Sequence, residues 1–221
     1  MDEGILSERV YALLEGYGFR RLDLRKCVSE ADFIAFSEAL DEAVDHNPHG
    51  PYVNKQPPEK LLREGATPFL SEDETAGVAV WPDGDIRAVF KNHKAPEGAV
   101  IGELILTALS MGGRKLDCFD GELRALYAAF GFIPVARMRF DENQAPDNWK
   151  TKFGKPDVIF WMHCGDTVED VAQKFVNFPN DPCYPDYPDA YIRRLPCFDD
   201  YRKAGKFRDK VMKARRLAAP Q

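Results

Sequence analysis

The residues of this chain whose types and spacing could do chemistry gather in one stretch, "KLDCFDGELRALYAAFGF", from Lys115 to Phe132. Asp117 and Asp120 flank an apolar run of strand type, where an ionised carboxylate is costly unless it is paired. Such a group is either held in an ion pair or hydrogen-bonded turn, or it is a base with a raised pKa. Tyr127 shares a helical stripe with Leu123, Leu126 and Phe130, at i, i+3, i+4 and i+7. A phenol there is either a core residue whose hydroxyl finds a partner or an acid reaching into a site. His46 and His49 form an H-x-x-H pair in a Pro-rich loop, but no third ligand stands nearby and no metal is expected. The five cysteines, at 27, 118, 164, 183 and 197, are odd in number and show no C-x-x-C spacing. They read as reduced thiols, with Cys118 and Cys164 as apolar filler. His163 adjoins Cys164 only in sequence and falls on the opposite face of the strand.

The elements that must position these residues follow from periodicity. Residues 7–17 place Val10, Leu13, Leu14 and Tyr17 on one helical face, and Gly18 follows as a stop. "RRLDLRKCV" reads as a strand or a linking segment. Ser29 with Asp32 opens a second helix over 29–45, whose stripe is Phe33, Phe36, Leu40 and Val44. "HNPHGPYVNKQPPEK" reads as a Pro-rich loop with no long element. From Thr75 the period becomes two, and Pro82-Asp83-Gly84-Asp85 joins two short runs as a hairpin. "EGAVIGELILTALSMGG" is a helix opening on glycine, with Ile101, Leu104, Ile105 and Ala108 on one face. "FIPVARMRF" alternates as a half-covered strand and "PDVIFWMHC" is apolar nearly throughout. The strand–helix–strand–helix–strand centre predicts an α/β fold, with a mixed central sheet carrying helices on both faces.

The composition, 44% apolar and 12% aromatic, supports a proper core and excludes global disorder. No apolar run approaches the roughly 20 residues of a membrane span. The acidic start "MDEGILSERV" lacks the layout of a secretory signal, so a cytoplasmic protein is expected. A net charge of −6 argues against a chain that binds nucleic acid over its whole surface. Residues 169–221 differ in character: an irregular Pro-, Asp- and Tyr-rich arm precedes a helix with eight Lys and Arg between Arg202 and Arg216, against Asp209. That block is either a solvated or docked helix or a contact for RNA phosphates. The expected division is therefore 1–168 and 169–221.

Residues 76–164 resemble the GNAT N-acetyltransferase superfamily. The hairpin ends in "DIRAVFKNH" where that family has its central strand, and "EGAVIGELI" stands where it has its pyrophosphate loop. "LRALYAAFGF" resembles the Leu-Tyr, three residues, Gly-Phe ending of the family's next helix. "KLDCFDG" and "PDVIF" lie closer to a phage-associated, GNAT-like branch. The resemblance implies that acetyl-CoA is the co-substrate, its pantetheine lying like an added strand beside two splayed strands. Its pyrophosphate would sit on backbone N–H groups before a helix. By position, the cofactor residues are Val89, Phe90, Lys94, Gly98, Ala99, Val100 and Gly102. Tyr127 would be the general acid, and Asp117 or a water relay the base.

The chain departs from the family at several positions. Ala95 occupies the basic or amide position of the loop, and Val100 its last glycine. Val100 adds a side chain where the backbone is usually approached closely, and His93 and Lys94 are the nearby compensating cations. Asp120-Gly121 replaces the usual Asn, and no glutamate lies between Asp85 and Asn92. Two readings stand. One is an N-acetyltransferase acting on a primary amine: a small molecule, a protein amine or an aminoacyl group on tRNA. The other is a catalytically degenerate GNAT-fold binding or regulatory protein, phage- or toxin-related.

Overall fold

The structure is a computed structural model that describes residues 5–46, 50–95, 100–145, 149, 154–163, 165–177 and 187–218. It is mixed α/β, with two four-stranded sheets among the described residues where one mixed sheet was expected. The chain divides into two compact units. By compactness the boundaries fall at 114/115 and 165/166, with a return near 180.

The first unit contains α1 (Glu8–Gly16), β1 (Leu24–Lys26), α2 (Glu30–His46), α3 (Pro58–Glu64), β2 (Thr67–Ser71), β3 (Ala76–Val80), β4 (Ile86–Lys91), α4 (Val100–Ser110) and α6 (Val168–Asn177). Its sheet runs β1-β2-β3-β4, antiparallel throughout. The capping box of α2 is present: Ser29 Oγ accepts from Asp32 N, and the Asp32 carboxylate accepts from the N–H groups of Ser29 and Val28. Those bonds hold the Asp32 carboxyl well below the usual range. The β3–β4 turn closes with Gly84 at φ +80°, Asp83 Oδ1 accepting from Asp85 N.

α3 and β2 lie where a loop was expected. α3 opens on Pro57-Pro58 and stops on left-handed Gly65. β2 tolerates Pro68 because that residue faces the end of short β1, where its carbonyl accepts from Cys27 N. Against one sheet face, α2 and α3 pack Phe36, Leu40 and Leu61 onto Leu70, Ala79 and Phe90. α4 lies along β3 and β4, α1 packs on α6, and just beyond the end of α1 Phe19 stacks on Phe175 and Tyr17 Oη donates to Asn177.

Gly77 sits where a side chain has no room. A Cβ there would lie 2.7 Å from the Phe90 ring and 2.8 Å from the Phe69 carbonyl oxygen. Gly77→Ala is expected to cost about 1–3 kcal/mol in denaturant unfolding, because a backbone oxygen cannot step aside.

Glu103 is the buried acid of this unit. From α4 its Oε2 accepts from Leu22 N at 2.7 Å, with Tyr11, Arg21 and Asp23 around it. Burial pushes its carboxyl up to about 7. The native state then holds a proton that the unfolded chain releases at about 4.5, so stability falls as pH rises from 4.5 to 7 and levels beyond. Glu103→Gln is expected to flatten that slope and to add on the order of 2–3 kcal/mol at pH 8. Urea melts across pH 5–8 read both.

The second unit contains β5 (Lys115–Phe119), α5 (Leu123–Ala129), β6 (Phe132–Met138), β7 (Val158–His163), α7 (Asp189–Arg194), β8 (Cys197–Phe198) and α8 (Tyr201–Ala218). Its sheet runs β5-β7-β6-β8. β7 is antiparallel to β5 and β6, so those two are parallel to each other and α5 is their crossover. The C-terminal stretch expected as a separate arm completes this sheet, because β8 pairs parallel with β6. α8 covers the face of Phe160, Ala136 and Met138 with Ala204 and Phe207. Tyr127 of α5 covers the other face, its ring 6.0 Å from Phe132 and 6.1 Å from Trp161.

Candidate functional site

β4 ends the first sheet, and among the described residues it pairs with a strand on one side only. It is also irregular. Gly77 pairs with Phe90 and Ala79 with Arg87, so Ala88 and Val89 together oppose Val78. This is a β-bulge, and Ala88 within it has φ +52°. A non-glycine residue there costs about 1–2 kcal/mol, a strain that clusters at functional positions. The bulge turns the strand over. Ile86 packs beside Gly113, while Phe90 points to the opposite face and meets the Phe36 ring edge-on at 5.4 Å. Val89 and Phe90, expected to hold cofactor, thus lie in the distortion and directly after it. Ala88 was missed, and nothing in "IRAVFK" signals a left-handed alanine.

Of the remaining cofactor positions, Gly98 and Ala99 lie outside the described residues. Val100 is the first residue of α4 and is buried, as is Gly102. Lys94 is already engaged, with its ammonium 2.6 Å from Glu42 and its N–H donating to Asn92 Oδ1. His93 lies against His46, ring centroids 5.5 Å apart. His49 lies outside the described residues.

In the second unit Tyr127 is only 7% exposed. Burial raises its phenol far above the usual value, so it stays protonated at any physiological pH. Asp117 is half-buried and accepts a 2.6 Å hydrogen bond from Tyr201 Oη of α8. Alternation along β5 puts Asp117 on the α8 face, while Cys118 faces Trp161 on the α5 face. The structure therefore does not bring Asp117 and Tyr127 to one side of the sheet. Asp120 pairs with Arg124, which also holds Asp189 and the Tyr187 carbonyl. This is the ion-pair reading of that carboxylate.

Cys27, Cys118 and Cys197 carry free thiols. Burial pushes Cys27 up to about 12 and raises Cys118 too, which leaves neither nucleophilic. Cys164 and Cys183 lie outside the described residues. Among the described residues no group of three His, Cys, Asp or Glu could hold a metal ion. No helix is long and apolar enough to cross a membrane, again among the described residues.

Comparison with known proteins found no matching family model, no matching curated protein and no matching solved structure. The functional reading therefore rests on the residues and their geometry.

Proposed function

We propose that the chain is a GNAT-like N-acetyltransferase that moves acetyl from acetyl-CoA to a primary amine. The observation that carries this reading is the bulge at Ala88 on β4, a strand that among the described residues pairs on one side only. The bulge lies in the ladder with β3, and the opposite edge of β4 is where an extended pantetheine amide chain would add its own hydrogen bonds. The amine nitrogen attacks the thioester carbonyl, the C–S bond breaks, the thiolate takes a proton and the ammonium loses one. The resemblance assigns proton donation to sulfur to Tyr127, which burial keeps protonated. The base is a water relay, because Asp117 faces the other side of its strand.

Acetyl-CoA should raise the melting temperature by about 5–10 °C at a hundred times its Kd, the effect of about 2.7 kcal/mol on a chain of this size. No shift at millimolar acetyl-CoA would end the proposal. A second reading, a binding protein that retains the fold without turnover, is favoured by the burial of Tyr127 and by Val100 at the opening of α4. Under that reading acetyl-CoA stabilises the chain, yet no free thiol appears with any amine acceptor.

A further inference from the structure

We infer that the exposed face of α8 is a docking surface for the phosphodiester backbone of a nucleic acid. The argument is independent of acyl transfer. Arg202, Lys203, Lys206, Lys210 and Lys213 are all exposed. At 100° per residue they fall within about 100° of arc, and they extend over about 16 Å of helix. The one acid of the helix, exposed Asp209, lies about 20° outside that arc and is taken by Lys115 and Arg208, and among the described residues none of the five cations is held in an ion pair.

The helix is fixed by its other side. Ala204 and Arg208 are buried, Arg208 donates to the Leu116 carbonyl at 3.2 Å, and Asp209 takes Lys115 at 3.2 Å. Phe207 packs on Phe198 at 5.5 Å. The cations are thus presented on a rigid support. The charge is also segregated: from Tyr201 to Ala218 there are eight Lys and Arg against Asp209, so the rest of the chain carries thirteen more acids than bases. An acidic molecule with one concentrated basic row contacts a polyanion through that row alone.

The chemistry selects among polyanions. A membrane-surface helix needs a free apolar face, and that of α8 is spent on the sheet. A protein interface needs a buried aromatic or aliphatic anchor, and the row holds only cations. Nearby described acids are engaged: Asp189 with Arg124, Asp199 with Arg139, and Asp200 accepting from Lys203 N. A row that meets phosphates by charge positions a backbone without reading bases.

The test is fluorescence anisotropy of the full chain against a labelled RNA hairpin and a labelled DNA duplex. Four lysine–phosphate contacts give a salt slope of about −3.6, so affinity should fall on the order of 10²-fold between 50 and 200 mM salt. K206E/K210E should lose at least about ten-fold at 50 mM salt and flatten the slope by about 2. R9E/R20E, which removes two exposed cations of the first unit, should stay within about two-fold. Matching melting temperatures check that the variants fold. The surface reading is overturned by no binding of either nucleic acid at 50 mM salt, by equal losses in the two variants, or by binding only to phosphatidylserine vesicles. Preference for RNA or for DNA identifies the source, and either supports the inference.

Discussion

Phe36→Ala should destabilise the protein by about 3–5 kcal/mol, the cost of emptying a fully packed aromatic site. Phe36 has no exposed surface, sits mid-way along the 17 residues of α2 and packs edge-on against Phe90. The surroundings cannot close over the void cheaply. Leu40 is committed to the same face of α2, and Gly77 leaves the Phe90 ring its place but supplies no atoms of its own. At about 2–4 °C per kcal/mol the melting temperature should drop on the order of 10 °C. Phe36→Leu, which keeps most of the volume, should lose less than half as much. A drop under about 1 kcal/mol for the alanine variant would mean that α2 does not hold the bulged strand from behind.

Tyr127→Phe should lower the turnover of acetyl-CoA with an amine acceptor by about 10²–10³-fold, the range for loss of a positioned general acid. The substitution removes one oxygen and keeps the ring that packs against Phe132 and Trp161. Melting temperature and acetyl-CoA binding should therefore change little, and the loss should fall on kcat. Undiminished kcat would return Tyr127 to the core. Equal losses of kcat and stability would say that the oxygen is structural.

Local elements were readable wherever backbone chemistry is local. The turn at Pro82 to Asp85, the Ser29–Asp32 box and the alternation of Phe132 to Met138 each depend on residues within a few positions. The miss at α3 and β2 was avoidable in part: Pro57-Pro58 ahead of Leu61, with Gly65 behind, is a start and stop signal that a Pro-rich composition masked. Pro68 hid β2, since its acceptability depends on how short the neighbouring strand is. The division into two sheets, and the recruitment of Cys197 and Phe198 into the second, are long-range pairings that periodicity does not register.

At the site the same boundary holds. Periodicity placed Tyr127 in the apolar stripe of α5, and its reading as an acid came from the resemblance alone. Asp117 was rightly singled out as needing a partner, but the partner, Tyr201, lies 84 residues downstream. Side-chain alternation already separated Asp117 from Cys118, and applying it to α5 would have separated the proposed acid from the proposed base. Ala88 could not be found, because positive φ at alanine is imposed by the ladder around it and not by its own preferences.

The interleaving of the two units bears on how the chain is made. α1 packs against α6, a helix that emerges from the ribosome only after β5, β6 and β7 of the other unit. Vectorial synthesis therefore cannot finish the first unit and release it before the second begins. α1 therefore waits for its α6 neighbour through some 150 residues of elongation.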